Sequence, residues 1–352
     1  MARTLSRPMR MVAAAVGATA VAAALLWAFA RPPAATSAAG ASRRPIHVTI
    51  LHVNDSHGRL GGLSVDGRRV GGVARLATAV ERVRRQSTAQ RVFLVHCGDE
   101  FSRGDALTQR TAGAANVAIM NRLRYDLLVP GNGEFYNGVA TLRRRIAEAS
   151  FPVLAANVEL ADGCPLAERY IIEQAGPVRL AFFGLCTVHK SDDVEKSLRA
   201  LDAMATARAL VPQLRSRADA VVAVTHLGLR QDQRLAGAVG GIDVILGGHS
   251  HNALHHGFRG EGPAGQEVLI CQAGDQYRYC GRVDLEFTPR AGGGYVLSVA
   301  TAGLIPLDET VEANGEVAAM LDRLAIPTAY PASVPSTEPA ETADEAELVA
   351  VE

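Results

Sequence analysis

Apolar and polar positions alternate along the chain in two different rhythms. Between Val73 and Val83 the apolar residues recur every third or fourth position, which predicts an amphipathic helix. The same spacing predicts four more helices, over residues 114–123, 139–149, 203–217 and 232–239. Uninterrupted apolar runs of strand length lie between them, and three strands without intervening helices are predicted at residues 267–272, 281–287 and 295–300. This order of elements predicts an α/β fold.

Five apolar runs end at a side chain that can bind a metal ion. In α/β folds the carboxyl ends of parallel strands meet along one edge of the sheet, so we expect these side chains to converge there. Taken singly, a strand-end Asp or Asn is more often a turn or helix-cap residue than a ligand, and His226 could simply close a strand by hydrogen bonding. The candidate ligands are Asp55, His57, Asp99, Asn132, His226, His249 and His251.

The pair His249 and His251 follows a buried run that ends in two glycines. On an extended backbone, alternate side chains point the same way, so both imidazoles are expected to face one metal cluster.

Seven candidate ligands exceed what one four-coordinate ion needs. A carboxylate that bridges lets two ions share such a set, so the sequence predicts a dinuclear site. Carboxylate, amide and imidazole ligands without thiolate suit manganese, iron or zinc.

The order of these motifs resembles that of the calcineurin-like metallophosphoesterases, in particular the amino-terminal metallophosphatase domain of the 5′-nucleotidase branch. The resemblance covers roughly residues 46 to 308. Further matching phrases lie at residues 71–78, 151–157, 225–228, 247–251 and 272–274.

The resemblance implies a four-layer α/β/β/α sandwich of two mixed sheets, with the metals on one edge. It also implies that the two ions share Asp99, that one is held by Asp55, His57 and His251, and that the other is held by Asn132, His226 and His249. A hydroxide that bridges the ions would attack the phosphorus of a small phosphorylated substrate, which the resemblance extends to nucleotides.

The sequence departs from the family where a catalytic histidine and its aspartate are expected. The family motif reads Gly-Asn-His-Glu-Phe followed by Asp, whereas this chain has Gly133 at the histidine position and Tyr136 at the aspartate position. General acid–base assistance is typically worth about 10²–10⁴-fold in rate. Two hypotheses follow: a hydrolase suited to good leaving groups, or a catalytically impaired protein that binds metal and phosphate. A hydrolase of sulfur compounds, which shares the metal core, is a third.

Several residues near the motifs have no assigned catalytic role. His189, His255 and His256 are candidates for a replacement acid, but each is more readily interpreted as a solvated loop residue. Glu134 is interpreted as structural, and Arg75 as an ion pair or a backbone contact.

The amino terminus has the order of an export signal. Arg3, Arg7 and Arg10 precede an uncharged stretch at residues 11–30, which predicts either a cleaved signal peptide or a membrane anchor at residues 1–30. Both alternatives place the catalytic domain outside the cytoplasm, as a periplasmic, secreted or anchored protein. Membrane contact is expected only through this segment.

The remaining boundaries follow from composition. We predict a linker at residues 31–45, the metallophosphoesterase domain at 46–308, a residual interdomain helix at 309–325 and a disordered acidic tail at 326–352. Full-length 5′-nucleotidases continue after such a helix into a second domain that contacts the nucleotide base.

Charge and cysteine content narrow the possible partners. With 36 basic and 36 acidic residues, and with no basic run that alternates with aromatics, the chain is not expected to bind nucleic acid. Five cysteines in an exported chain permit disulfides. Cys271 and Cys280 could meet across a hairpin, or could be two buried apolar residues. Cys97 is expected in the core, one layer below Asp99.

Overall fold

The computed structural model describes residues 44–101 and 103–326. The predicted signal or anchor lies outside these residues, as do nearly all of the predicted linker and tail. Among the described residues, no helix is both long and apolar enough to span a bilayer. The described strands are β1 (Ile46–Val53), β2 (Leu63–Val65), β3 (Arg68–Val70), β4 (Arg91–His96), β5 (Leu127–Leu128), β6 (Val158–Leu160), β7 (Tyr170–Ala175), β8 (Val178–Leu185), β9 (Leu198–Ala200), β10 (Ala220–Thr225), β11 (Val244–Leu246), β12 (Phe258–Glu261), β13 (Glu267–Cys271), β14 (Tyr279–Pro289) and β15 (Tyr295–Pro306).

The five helices that the 3.6-residue pattern predicts are present, and their ends differ from the predicted ones by at most three residues. The short helices at residues 106–111 and 192–197 have too few residues to show a period, and the predicted interdomain helix begins at residue 315 rather than 309. The helices are α1 (Val73–Gln86), α2 (Ala106–Thr111), α3 (Ala114–Leu123), α4 (Val139–Glu148), α5 (Asp192–Ser197), α6 (Ala203–Arg215), α7 (Leu229–Ala238) and α8 (Gly315–Ala325), with a 3-10 helix at Gly133–Phe135.

Two mixed sheets form the centre of the fold. The first has the order β15-β14-β1-β4-β5, in which β1, β4 and β5 are parallel and β14 and β15 run antiparallel. The second has the order β12-β13-β11-β10-β8-β7, in which β8, β10, β11 and β13 are parallel and the two edge strands are antiparallel.

Three separate cores show how the layers stack. Side chains such as Ile50 and Phe93 from the first sheet pack against Phe182 and Val222 from the second, so the sheets lie face to face. Because successive strand residues point to opposite faces, Leu51 packs outward against helices α1, α3 and α8. On the far side the second sheet packs against α6 and α7. The layers are therefore α/β/β/α, as expected.

The hairpin that could join Cys271 to Cys280 does not form. Cys271 ends β13 in the second sheet, whereas Cys280 lies in β14 of the first sheet. All five cysteines have free thiols, and Cys271, Cys280 and Cys97 are buried. Burial raises the pKa of Cys271 and of Cys280 to about 12. The alternative of buried apolar residues is the correct one, because the chain changes sheets between the two cysteines.

Helix α1 and the segment after β15 are joined through Arg75. Its Nε donates to the carbonyl of Asp308 at 3.0 Å and its Nη1 lies 3.4 Å from the carbonyl of Gly71. Arg75 therefore makes the structural backbone contact that was one of its two interpretations.

Candidate metal centre

All seven candidate ligands lie on the loops that follow five parallel strands. Asp55 and His57 follow β1, Asp99 follows β4, and Asn132 follows β5 in the first sheet. His226 follows β10 and the pair after β11 comes from the second sheet. Since the parallel strands of both sheets end at the same edge, the two sheets deliver their ligand-type side chains to one place.

The carboxylate of Asp99 lies at the middle of this cluster. Its Oδ1 is 3.4 Å from Nε2 of His226, and its Oδ2 is 3.7 Å from Nδ1 of His57. The backbone N–H of Gly133 donates to Oδ1 at 2.7 Å, which fixes the rotation of the carboxylate. Asp99 therefore presents one oxygen to each half of the cluster.

The other side chains form two groups around Asp99. In the first, Nε2 of His251 lies 3.0 Å from Nε2 of His57 and 3.4 Å from Oδ1 of Asp55. In the second, Nδ1 of His249 lies 3.0 Å from Oδ1 of Asn132. The rings of His226 and His249 pack edge to face with centroids 5.1 Å apart. Every candidate ligand thus lies close enough to another candidate ligand for the two to bind the same metal ion.

Five of the seven candidate ligands have a left-handed backbone, with φ between 46° and 78°. Such angles are uncommon outside glycine and cluster at functional sites, where surrounding structure compensates their cost. The set includes His249 and His251, so the expectation of an extended backbone was wrong: the two imidazoles meet different partners. The five are Asp55, His57, Asp99, His249 and His251.

Gly131 is required by the closeness of this packing. A Cβ atom at that position would lie 2.2 Å from Oδ1 of Asp99 and 2.6 Å from Nε2 of His226. Only glycine lets the loop after β5 approach the cluster this closely.

Two fully buried atoms of the cluster make no hydrogen bond, Oδ1 of Asp55 and Nε2 of His226. Nδ1 of His226 donates to the carbonyl of Cys97 at 2.7 Å, so the lone pair of a neutral His226 is on Nε2, directed at the carboxylates. Unpaired buried polar atoms are costly, and native structures seldom leave them without a partner.

Electrostatics favour a cation at the same place. Burial by itself lowers the pKa of His226, but the charges of Asp99 and Asp55 raise it overall to about 10. The protein alone therefore balances its buried carboxylates with a proton on His226. Two orphaned ligand atoms, two carboxylates and four imidazoles fit a pair of divalent ions, which would replace that proton.

Glu134, which the sequence marked only as structural, holds the loops of the centre together. Its buried carboxylate accepts four backbone N–H groups: Oε1 from Glu100 and Phe101, and Oε2 from Asp99 and Gly131, at 2.6 to 2.9 Å. It therefore ties the loop after β4 to the loop after β5. Three of its four donors lie on the loop after β4, so no local pattern in the sequence predicts this role.

Glu134→Gln is expected to lower the free energy of unfolding by about 3 kcal/mol. Glutamine replaces one oxygen by an NH₂ group, so two backbone N–H donors would face another donor in a buried place. Urea unfolding of the ion-free protein measures the loss. Glu312→Gln, on an exposed loop, is the matched control, and equal stability of the two variants would refute the role of Glu134.

Gln272 fixes the loop that carries His249 and His251. Its Nε2 donates to the carbonyl of Gly248 at 3.1 Å, and its Oε1 accepts from Ser250 Oγ and from the Asn252 N–H. Asp232 lies beneath it, fully buried, and accepts the hydroxyl of Thr225 at 2.6 Å. Burial raises the pKa of Asp232 to about 7, so the folded protein favours the neutral acid.

Relative to the wild type, the Asp232→Asn variant is expected to become more stable against unfolding as the pH rises. The unfolded carboxyl titrates near pH 4, so the wild type loses stability between pH 4 and about 7, because folding must then take up a proton that the unfolded carboxylate has released. Asparagine has no such proton to take up. Relative to the wild type, the unfolding free energy of the ion-free variant should gain about 2 to 3 kcal/mol between pH 5 and pH 8. Urea unfolding at both pH values measures it. The exposed Asp322→Asn is the control, and a gain no larger than that of the control would contradict the account.

The position of the family histidine is occupied by the 3-10 helix Gly133–Phe135. Tyr136 follows it, and its phenol oxygen accepts from Nδ2 of Asn132 at 2.9 Å. His189 packs edge-on against the Tyr136 ring, with centroids 4.7 Å apart. His255 packs against Tyr279 instead, and both His255 and His256 are exposed.

Comparison with known proteins agrees with this geometry. Residues 48–253 match the model of the calcineurin-like phosphoesterase family. The 5′-nucleotidase of Homo sapiens is 32% identical over 303 residues, which cover 76% of this chain and 51% of that protein. The chain thus spans about half the length of this relative.

Solved structures share the fold. The 5′-nucleotidase precursor from Thermus thermophilus superposes with a TM-score of 0.71 and 26% identity, covering 80% of this chain and 59% of that one. The calcineurin-like phosphoesterase YfkN from Bacillus subtilis superposes with a TM-score of 0.68, covering 81% of this chain and 98% of that one. At 21% identity the second likeness concerns the fold alone.

Proposed function

This chain belongs to the calcineurin-like phosphoesterase family, and from that premise we propose that it is a phosphoesterase that works with two divalent ions, manganese, iron or zinc. One ion would lie with Asp55, His57 and His251, and the other with Asn132, His226 and His249. Asp99 would touch both.

One observation supports this assignment above the others. The two oxygens of Asp99 face different imidazoles, Oδ1 that of His226 and Oδ2 that of His57. A carboxylate placed in this way can bridge two ions, whereas a single ion would leave one of its buried oxygens without a cation.

When bound, two divalent ions polarise the phosphoryl group and make water a stronger acid. The residues of the chain prepare the place for them. The Cys97 carbonyl holds Nδ1 of His226 and so turns Nε2 inward, while the Gly133 N–H holds the Asp99 carboxylate. Glu134 and Gln272 keep the loops at their separations, so that little rearrangement is needed on binding.

The substitutions at Gly133 and Tyr136 limit the substrates. With glycine at 133 no imidazole is available there to protonate a departing oxygen, so poor leaving groups such as alkyl alcohols are disfavoured. The leaving groups of aryl phosphates and of phosphoric anhydrides depart without needing a proton. We therefore assign the protein small phosphorylated substrates with good leaving groups. Nucleotides are included because the human relative is a 5′-nucleotidase, but with Gly133 we expect cleavage of their phosphoric anhydride bonds rather than of the 5′-ester, whose leaving group is an alkyl alcohol.

We place this activity outside the cytoplasm. The support is the sequence pattern at residues 1–30, three arginines followed by an uncharged apolar stretch. Fusion of these residues to a reporter that is active only after export tests this placement.

Manganese-dependent hydrolysis of p-nitrophenyl phosphate tests the proposed function. The ion-free full chain is expected to be inactive, to gain activity as Mn²⁺ is added and to lose it again with a chelator. Saturable phosphate binding without any turnover would instead identify a catalytically impaired binding protein. Activity that a chelator leaves unchanged would contradict the proposal.

A further inference from the structure

Three side chains from three separate segments meet beside the metal centre. Arg103 comes from the loop between β4 and α2, Tyr136 from the end of the 3-10 helix, and His189 from the loop after β8. The guanidinium carbon of Arg103 lies 5.0 Å from the centroid of the Tyr136 ring, and Nη2 donates to the phenol oxygen at 3.2 Å. His189 packs edge-on against the same ring.

This cluster is joined directly to a candidate ligand. The phenol oxygen of Tyr136 accepts from Arg103 and also from Nδ2 of Asn132 at 2.9 Å. Nδ2 of Asn132 is thereby turned toward the phenol, and Oδ1 is turned toward His249. The guanidinium of Arg103 therefore lies two hydrogen bonds from the centre, on the side where the family places its histidine.

The backbone of the Arg103 loop is unusual as well. Arg103 has a φ of 59°, in the left-handed region, and Gly104 follows with a φ of 73°. A bulky residue adopts such an angle at a cost, which native structures tolerate most often at functional positions. The side chain is exposed, so its charge is within reach of a ligand arriving from solvent.

The charge of Arg103 also affects His189, which packs against the same Tyr136 ring. Burial first, and the guanidinium of Arg103 second, lower the pKa of His189. The lowered pKa favours the neutral imidazole, so Arg103 carries the positive charge of these three side chains.

We propose that Arg103 binds the oxygens of the phosphoryl group that is transferred, at the place left by the family histidine, and that Tyr136 positions both Arg103 and the Asn132 amide. Guanidinium groups bind phosphate oxygens in pairs and carry their charge at all working pH values. Arg103 is then a catalytic residue and Tyr136 a positioning residue. The inference rests on the proposed phosphoesterase function.

Arg103→Ala tests the inference, in full-length manganese-loaded protein. Its kcat/KM for p-nitrophenyl phosphate is expected to fall by about 10- to 100-fold. This decrease is no larger than the one caused by removing a buried oxyanion donor, because the side chain of Arg103 is exposed. The inhibition constant of inorganic phosphate should rise about tenfold, with bound manganese unchanged. Added guanidinium ion should restore part of the activity.

Two further variants separate the roles. Tyr136→Phe keeps the ring below the guanidinium but removes the phenol oxygen, so a smaller loss of kcat/KM is expected. Arg143→Ala removes an exposed arginine of α4 and should leave both constants unchanged.

The outcomes distinguish failure of the Arg103 role from failure of the proposed phosphoesterase function. An active wild type whose phosphate inhibition does not change in Arg103→Ala overturns the inference and leaves the proposed function standing. If the wild type has no turnover, calorimetric binding of phosphate to the metal-loaded protein gives the same comparison of Arg103→Ala with Arg143→Ala. A metal-loaded wild type that neither turns over nor binds phosphate overturns both.

Discussion

Asp99→Ala is expected to reduce manganese-dependent turnover by about 10³-fold or more, which corresponds to about 4 kcal/mol of activation free energy. The carboxylate is the group that faces both halves of the cluster, His57 on one side and His226 on the other. Its removal takes away the shared ligand and one of the two carboxylates among the candidate ligands. Steady-state hydrolysis of p-nitrophenyl phosphate measures the effect.

Two controls accompany this variant. Asp99→Asn keeps the shape of the side chain and an oxygen that can accept the Gly133 N–H, so it should lose activity with little loss of fold. The exposed Asp322→Ala should behave as the wild type. Substantial turnover in both Asp99 variants would show that the shared carboxylate is not part of the mechanism.

Gly133→His is expected to raise the hydrolysis of alkyl phosphates by about 10²-fold, at the lower end of the range for general acid catalysis. The residue lies in a 3-10 helix, a backbone conformation open to any L-residue, next to both Asp99 and Asn132. Hydrolysis of p-nitrophenyl phosphate should rise much less, because its leaving group needs no proton. The ratio of the two rates is the measurement.

Gly133→Ala is the matched control for this substitution, since it changes the backbone preference without adding an imidazole. A ratio that is the same in the alanine and histidine variants would contradict the assignment of position 133. The double variant with Tyr136→Asp restores the family pair and should exceed Gly133→His alone. In this double variant the contact between Arg103 and the phenol is lost, so it also measures how far the two arrangements exclude each other.

The sequence predicted the elements well because their signals are local. The spacing of apolar residues in α1 is set by the helix period, and Leu76 and Val80 are buried where that period places them. The convergence of the candidate ligands within each sheet could also be predicted, because the parallel strands of one sheet end at one edge. The 3.7 Å distance between Nε2 of His226 and Oδ1 of Asp55 depends in addition on how the two sheets stack.

Other features of the structure could not be predicted because they depend on the packing of segments that are distant in the sequence. The alternative of a hairpin between Cys271 and Cys280 could not be excluded from the sequence, because the pattern of a buried strand does not say to which sheet the strand belongs. The backbone of His249 and His251 was predicted as extended, but the loop turns left-handed to reach Asp55 and Asn132. The contact of Arg103 with Tyr136 brings together two loops that no local pattern connects.

The proposed dinuclear centre depends on the number of manganese ions that each chain binds. Titration of the ion-free chain with Mn²⁺, followed by electron paramagnetic resonance, both counts the ions and reports whether they are magnetically coupled. Two ions per chain are expected at saturation, with the signal of a coupled pair, and this coupling should be lost in Asp99→Ala. A single uncoupled ion at saturation, or none, would contradict the dinuclear centre around Asp99.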